Sequence, residues 1–346
     1  MATVHRDLGC PILPPELCDA VIDHCKYHRS TLGACSLVSK TWLPRSRSLL
    51  FHAISLSKLN LHSLCPLLAS PHCTIAPFIQ SCTVFPRVSS DELEKLMSTM
   101  EHSVFRRLQH LTSIVTICIP PQWLAQNTST SLVSTITSLS VVGLLWYEET
   151  ESFSEKCRQI LQFASAFTLL ESLEIGYETP GRVVPYTPTT QDLSCFPKIA
   201  LPRLRRLLLG DVPYNVLLPW FLIPGAGAVE LPNLSFFSFY IGYETLNVDS
   251  ELLQEFLDTV CSPTVEELSF WLVWESFPAL KLDRFRSLRS IDLHTRVDQD
   301  DYHTKIFDLV STLPTLGRTP LSVTITGDPT VQLPKIDGVS WSVTRY

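Results

Sequence analysis

The chain has 346 residues, of which 45% are hydrophobic and 18% are charged. This length gives room for one large core or two domains, and the high apolar content excludes an intrinsically disordered chain. The net charge of −7 argues against an electrostatic nucleic-acid binder. Because only 12 glycines accompany 25 prolines, glycine-rich loops that cradle phosphate groups are not expected.

The ends of the chain and its apolar runs indicate the cellular compartment. Residues 1–10 are followed by no apolar stretch that resembles a signal peptide. The longest apolar run, 216–229, is interrupted by Pro219 and Pro224 and is shorter than the ~20 residues of a membrane-spanning helix. We therefore expect a soluble protein of the cytoplasm, the nucleus or both, with no membrane partner. Its 11 cysteines are then expected to be reduced thiols.

Three short helices are predicted within the first fifty-odd residues. The first is expected over 16–28, with Pro15 in its first turn, because apolar residues recur there at helical spacing. A second helix is expected over 32–38 and a third over 40–52. A module of about forty residues buries little apolar surface, so part of that surface is expected to be left for a partner.

The same residues carry a resemblance to a known family. The segments Leu-Pro-Pro-Glu-Leu at 13–17, Ala-Cys-Ser-Leu-Val-Ser-Lys-Thr-Trp at 34–42 and Leu-Leu-Phe-His-Ala-Ile at 49–54 together closely resemble an F-box over residues 11–56. F-boxes dock onto a Skp-type adaptor, which links them to a cullin–RING ubiquitin ligase. The resemblance implies adaptor contacts through Leu13, Pro14, Leu17, Ile22, Leu37, Val38 and Trp42. The alternative is that these segments merely form a small helical bundle.

A second pattern repeats along the rest of the chain. The motif apolar-x-x-apolar-x-apolar begins at Ile136, Leu170, Leu204, Leu234, Val265 and Leu288, with a weaker copy at Pro320. The alternation at the end of each copy predicts a short half-buried strand. Apolar faces at 155–168, 250–261 and 304–313 predict helices between these strands. Units of about thirty residues then give parallel strands with right-handed crossovers.

These units resemble a degenerate leucine-rich repeat array, which F-boxes often precede. The predicted fold class is therefore α/β: a three-helix F-box over 1–56 and, over 57–346, a curved solenoid with parallel strands on its concave face. The units are clearest between 130 and 326. Because unit lengths vary and the Asn or Cys of the family consensus is mostly absent after each strand, an ordinary α/β sheet with unequal crossovers is the alternative. No boundaries are assigned between 57 and 130.

Two charge pairs mark the expected strand register. If equivalent positions of successive units lie side by side, Glu171 lies beside Arg205 and Glu266 lies beside Arg289, one strand away in each case. Opposite charges on neighbouring strands contribute roughly 0.2–1 kcal/mol. The pairs therefore serve as register markers rather than as main supports of the fold.

The sequence carries no catalytic signature. Gly-x-Ser-x-Gly, Walker-type and His-Glu-x-x-His motifs are absent. His24 and His28 have a spacing that suits a metal, but no third and fourth ligand stand at a sensible spacing. The acidic residues between Asp298 and Asp301 lack the glycine and the distal glutamate of an EF-hand. We therefore expect a non-catalytic protein without a metal or a cofactor.

Residues that alternate with the buried positions of each strand predict a target-binding surface. Alternation points them out of the concave face, in two rows. The first row is Glu174, Leu208, Ser238, Ser269 and Asp292, and the second is Gly176, Gly210, Tyr240, Trp271 and His294. Tyr240, Trp271 and His294 have the composition of a binding hot spot. In the alternative, a loop or the C-terminal tail covers them, for example through Trp341.

Two functional classes follow from these predictions. In the first, the chain is the substrate-recognition subunit of a Skp–cullin–F-box type ubiquitin ligase: the F-box binds the adaptor, and the solenoid binds an unidentified target protein and raises its local concentration near the transfer machinery. In the second, the chain is a non-catalytic interaction scaffold that acts without a ligase, and the helical module is only a cap. Neither class involves nucleic acid, and adaptor binding separates the two.

Overall fold

The computed structural model describes residues 13–84, 109–114, 134–142, 153–176, 199–210, 212, 214–222, 229–241, 249–272, 280–295, 308–312, 321–326 and 339–344. These residues form an α/β fold, in which three N-terminal helices are followed by one large parallel sheet with helices in the connections between its strands. The α/β class predicted from the sequence is confirmed.

Three short helices open the described chain. Helix α1 spans Pro15–His24, α2 spans Arg29–Val38 and α3 spans Leu43–Leu50. The prediction of three helices is confirmed, with shifted ends. Helix α1 ends before residue 28 because the chain tightens there: the Cys25 amide donates to the Ile22 carbonyl oxygen at 2.9 Å, the short-range bond of a terminal turn.

The apolar core of these helices is small. Its buried members are Ile22, Leu32 and Cys35, and Cys25, Trp42, Leu49 and Leu50 pack against them while remaining partly exposed. Three buried side chains remove little apolar surface from water. Because burial stabilises a fold by only about 25 cal/mol per Å² of apolar surface, this core contributes little free energy. The three helices, called the helical module below, therefore have only a modest core of their own.

Among the described residues, eleven parallel strands form one sheet, in which they lie side by side in the order in which they occur along the chain. In order they are β1 (Ala53–Leu56), β2 (Ser81–Val84), β3 (His110–Ile114), β4 (Ser138–Val142), β5 (Ser172–Gly176), β7 (Arg206–Gly210), β9 (Phe236–Ile241), β10 (Glu267–Leu272), β11 (Ser290–Thr295), β12 (Leu321–Thr326) and β13 (Val339–Thr344). A separate pair joins β6 (Ile199–Ala200) to β8 (Val229–Glu230). The seven strands predicted from the repeated motif are all present, and their parallel pairing is confirmed.

The sheet extends beyond the predicted units in both directions. Strands β1, β2 and β3 precede them, and β13 follows them. Ile54 in β1 and Cys82 in β2 are buried in the same core as the later strands. Because β1 begins at Ala53, the sheet starts inside the segment that was predicted as the F-box, 1–56.

Helices fill several connections between strands. They are α4 (Lys58–Ala69), α5 (Phe153–Ala166), α6 (Tyr214–Leu217), α7 (Pro219–Leu222) and α8 (Ser250–Phe256), which continues as a π-helical turn (Leu257–Cys261). The predicted helices 155–168 and 250–261 are confirmed, and of 304–313 the described residues 308–311 are helical. None of the helices in the described ranges is long and apolar enough to cross a membrane.

Strand alternation sends one face of the sheet into a continuous core. The buried pairs are Leu173 and Ile175, Leu207 and Leu209, Phe237 and Phe239, Leu268 and Phe270, Ile291 and Leu293, and Val323 and Ile325. Phe239 packs edge-to-face on Phe270, with ring centroids 4.6 Å apart, and Phe256 of α8 lies 5.2 Å from Phe237. The first apolar residue is buried as well in each motif from Ile136 to Leu288, so these motifs face the core; Pro320, which begins the last copy, lies outside the described residues.

Backbone hydrogen bonds hold the strands in the predicted register. The Arg205 amide donates to the Glu171 carbonyl oxygen at 2.8 Å, and the Arg289 amide donates to the Glu266 carbonyl oxygen at 2.7 Å. Ser235 links the two pairs, because its amide donates to the Arg205 carbonyl oxygen at 2.9 Å. The Arg289 guanidinium also lies 3.5 Å from the Glu266 carboxylate. Both register markers are therefore confirmed.

The described cysteines are free thiols. They are Cys18, Cys25, Cys35, Cys73, Cys82, Cys157 and Cys261. Burial raises the pKa of Cys82 to about 12 and raises the pKa values of Cys157 and Cys261 well above the ordinary value. A thiol that stays protonated in an apolar setting behaves as a small hydrophobic side chain, so these three cysteines belong to the core rather than to a reactive site.

Candidate protein-interaction surfaces

The helical module leaves large apolar side chains exposed. Leu13, just before α1, and Leu17, within it, are both 52% exposed. At the end of α2, Leu37 is 86% exposed and Val38 is 63% exposed. Pro14, the residue before α1, is exposed as well. Five of the seven residues that the F-box resemblance assigns to the adaptor therefore lie at the surface.

The other two assigned residues are placed differently. Ile22 is fully buried in the core of the helical module, so, unlike the other five, it offers no surface for the predicted adaptor contact. The reason is helical geometry: at 3.6 residues per turn, Ile22 lies about 140° around α1 from Leu17. Trp42 is partly buried and packs against the same core, so only part of its indole ring is at the surface.

The resemblance did not assign Val21, although the structure exposes it. Val21 is 48% exposed and lies one turn of α1 beyond Leu17, on the same stripe. The i, i+4 spacing of these two residues is the signal by which the sequence gives this position. The exposed stripe of α1 therefore contains Leu17 and Val21, and the exposed Leu13 lies just before the helix.

An ion pair fixes α1 against α3. The Arg45 guanidinium donates two hydrogen bonds to the Asp23 carboxylate, at 2.6 and 2.7 Å. The hydrogen bond from Arg45 lowers the pKa of Asp23, which keeps that carboxylate ionised. The bidentate geometry sets the orientation of α1, and with it the direction in which Leu17 and Val21 face.

The second surface is the face of the sheet opposite the core, which we call the polar face. Its first row is in register across five strands and consists of Glu174, Leu208, Ser238, Ser269 and Asp292. Its second row is Gly176, Gly210, Tyr240, Trp271 and His294, in register across the same strands. Both rows predicted from the sequence are thus brought together on neighbouring strands.

Two residues of the first row are nearly inaccessible. Ser238 is only 7% exposed and Ser269 only 5% exposed, so they offer a target much less surface than the sequence predicts. Each serine lies between two larger side chains of its own strand on the same face; those of Ser238 are Phe236 and Tyr240. A hydroxymethyl group is too short to rise above such neighbours.

Three rings stand side by side on β9, β10 and β11, and we call them the aromatic ridge: Tyr240, Trp271 and His294. The Trp271 ring stacks on His294, with centroids 3.9 Å apart and planes 15° apart. The Tyr240 centroid lies 6.4 Å from Trp271, and the planes diverge by 45°. Trp271 is 39% exposed. An exposed tryptophan held between two rings offers a rigid surface for a partner.

The imidazole of His294 is held in its neutral form. Burial lowers the pKa of His294, and the nearby Asp292 carboxylate opposes this effect only in part. Because the charged form is disfavoured, His294 contributes an uncharged ring to the aromatic ridge near pH 7.

Carboxylates outnumber cations on the described part of the polar face. Glu174 accepts a hydrogen bond from the Ser140 hydroxyl at 2.6 Å. Glu267 and Asp292 form no ion pair with a described residue. The guanidinium of Arg206 lies 3.9 Å above the ring of Phe236, which separates Arg206 from Glu267 in their row. The polar face around the aromatic ridge is therefore acidic.

One support of the aromatic ridge was not predicted. The Tyr214 hydroxyl donates to the Tyr240 carbonyl oxygen at 2.6 Å and so anchors the end of β9. Tyr214 lies at the start of α6, outside any strand, so strand periodicity carries no signal for it. A buried tyrosine hydroxyl needs an acceptor, but the sequence alone does not identify which one.

Trp341 does not cover the aromatic ridge. It pairs with Val323 between β12 and β13 and packs against the core. Its side chain therefore lies on the opposite face of the sheet, and the alternative in which it shields Tyr240 and Trp271 is wrong.

Comparisons with known proteins add no assignment to these two surfaces. No protein-family model matches the chain, and no curated protein matches it. Within the described ranges, no group of three or more His, Cys, Asp or Glu side chains is placed to hold a metal ion. The features that bear on function are therefore the exposed residues of the helical module and the polar face of the sheet.

Proposed function

We propose that this protein is the substrate-recognition subunit of a Skp–cullin–F-box type ubiquitin ligase. In this proposal the helical module is an F-box that binds a Skp-type adaptor. The remaining chain is a curved solenoid of irregular leucine-rich-repeat-like units, and its polar face binds the target protein in the cytoplasm or the nucleus. In this role the protein performs no chemistry itself. It raises the concentration of the target near the transfer machinery.

The observation that carries the proposal is the exposure of motif residues in the helical module. Leu37 and Leu17 are largely at the surface, while the core cluster of the module holds three buried apolar side chains. Exposed leucines at positions that the F-box pattern assigns to the adaptor favour a docking surface. A helical cap that served only to close the sheet would use its apolar side chains to cover that sheet, so the exposure speaks against the scaffold alternative.

The strand order supports the solenoid. Consecutive strands of the eleven-stranded sheet are neighbours in every case, as expected when each unit stacks on the one before it. In many ordinary doubly wound sheets the strand order reverses at a switch point, and this sheet has no such reversal in its described strands.

Co-purification with a Skp-type adaptor tests the proposal. The wild-type chain, co-expressed with the adaptor, is expected to form a stable complex. The double substitution Pro14→Ala and Leu37→Ala removes two exposed motif side chains, each of the kind that contributes about 2 kcal/mol or more at an interface hot spot. We expect this variant to lose the adaptor and to keep the circular dichroism spectrum of the wild type.

Leu67→Ala is the matched control, because Leu67 is also exposed but lies in α4, outside the motif. The control is expected to retain the adaptor. Undiminished adaptor binding by the double variant contradicts the assignment of the surface. A wild-type chain that binds no Skp-type adaptor favours the scaffold instead.

A further inference from the structure

We infer that the polar face recognises a basic segment of its target, in which an arginine or lysine side chain lies against Trp271 and pairs with Asp292. This inference rests on the proposed function, because it assumes that the polar face binds a target protein. The recognition chemistry itself depends only on side chains of the sheet.

The aromatic ridge supplies one half of this recognition. One face of the Trp271 ring is occupied by His294 at 3.9 Å. The face toward Tyr240 has no parallel ring on it, since the two centroids are 6.4 Å apart and the planes diverge by 45°. Tryptophan is the best ring for a cation–π contact, with the cation within about 6 Å of the ring centroid. The same chemistry is present two rows away, where the Arg206 guanidinium lies over Phe236.

The charge of the face supplies the other half. A partner that covers the aromatic ridge removes water from Asp292, which has no ion-pair partner among the described residues. Desolvating an unpaired carboxylate is costly, so a neutral or acidic partner is disfavoured. A cationic side chain compensates this carboxylate.

The strand geometry places these groups within reach of one side chain. Asp292 pairs with Ser269, two residues before Trp271 on the same face. With strands about 4.8 Å apart and two residues about 6.6 Å apart along a strand, Asp292 is a diagonal neighbour of Trp271. An extended arginine or lysine side chain spans that separation. The neutral state of His294 adds no competing positive charge.

A positional-scanning library of fluorescein-labelled ten-residue peptides tests this inference on the full chain. In each pool one position is fixed, and the pools with fixed arginine or lysine are expected to bind more tightly than those with fixed aspartate, glutamate or leucine. The best basic peptide is then measured by fluorescence anisotropy. Its binding is expected to weaken about tenfold in Trp271→Ala, and about fivefold in Asp292→Asn, the effect of about 1 kcal/mol from one partly exposed charge pair.

Glu255→Gln is the matched control, because it makes the same kind of charge change at an exposed position of α8, away from the polar face. It is expected to bind the peptide like the wild type. Asp292→Asn preserves side-chain shape, so peptide binding by this variant tests the inference even if Trp271→Ala unfolds. Preferred binding of acidic or leucine pools, no preference for basic pools, or unchanged binding by both Trp271→Ala and Asp292→Asn overturns the inference.

Adaptor binding is measured on the same samples. Basic selectivity without adaptor binding leaves this inference standing and removes the ligase role. Adaptor binding without basic selectivity leaves the ligase role standing and removes this inference.

Discussion

The helical module and the sheet solve the burial of apolar side chains in opposite ways. The sheet and its helices share one continuous core, which runs from Ile54 to Ile325. The helical module buries Ile22, Leu32 and Cys35 and leaves Leu37 and Leu17 at the surface. A core of three side chains is a weak support for a fold. The sheet therefore supplies its own large core, and the small core of the helical module agrees with the proposal that a partner completes it.

The largest expected effect lies in the core of the sheet. Phe239 is fully buried and contacts the rings of Phe237, Phe270 and Tyr214. Phe239→Ala is expected to lower the free energy of unfolding by about 3–5 kcal/mol, because it removes the buried ring and leaves a cavity. Urea unfolding followed by circular dichroism measures the effect.

Phe236→Ala is the control for that substitution, because Phe236 lies on the same strand but on the polar face, where it is only half-buried. It is expected to cost about 1 kcal/mol. Equal losses at the two positions contradict the assignment of the two faces of β9.

A smaller and local effect is expected in the helical module. Leu32 is fully buried there, but several of the surrounding side chains are only partly buried, so Leu32→Ala is expected to cost about 2 kcal/mol, at the low end for a buried leucine. Amide hydrogen exchange is expected to accelerate in α1, α2 and α3 and to stay unchanged in β9 to β11. Equally accelerated amide exchange in the sheet indicates that the helical module and the sheet unfold as one cooperative unit, which contradicts the separation of their two cores.

The smallest expected effect is the pH dependence contributed by His294. Burial lowers the pKa of His294 in the folded chain below the value of about 6.5 in the unfolded chain. The unfolded state therefore binds more protons, so this contribution to stability is present above about pH 6.5 and is lost as the pH falls toward the folded-state pKa. The urea midpoint is expected to drop less between pH ~7.5 and ~5 in His294→Asn than in the wild type. Identical drops in the two proteins indicate that His294 is not buried on Trp271.

The predictable parts of the fold are those in which the polarity of a residue by itself indicates whether its side chain is buried or exposed. Leu173 and Ile175 alternate with Ser172 and Glu174, so the sequence indicates β5 and its buried face. Strand β2 was missed because its motif uses Cys82 in place of a leucine, although Cys82 is as buried as its counterparts. Register followed from the repeat itself, since equivalent positions of stacked units must lie side by side.

The parts that were not predictable depend on neighbours. Ile22 and Leu17 are both apolar residues of α1, and only the packing of the three helices makes one buried and the other exposed. Ser238 has the correct face and the wrong accessibility, because the size of Phe236 and Tyr240 decides what a serine between them can reach. Periodicity gives the direction of a side chain and not the height of the groups around it.

Hydrogen exchange of the full chain with and without a purified Skp-type adaptor tests whether the helical module is the docking surface. We predict that the adaptor slows exchange in α1 and α2, where Leu17, Leu37 and Val38 are exposed, and leaves β9 to β11 unchanged. Unchanged exchange in α1 and α2 at a saturating adaptor concentration, or slowing confined to the sheet, contradicts the claim that the helical module is the docking surface.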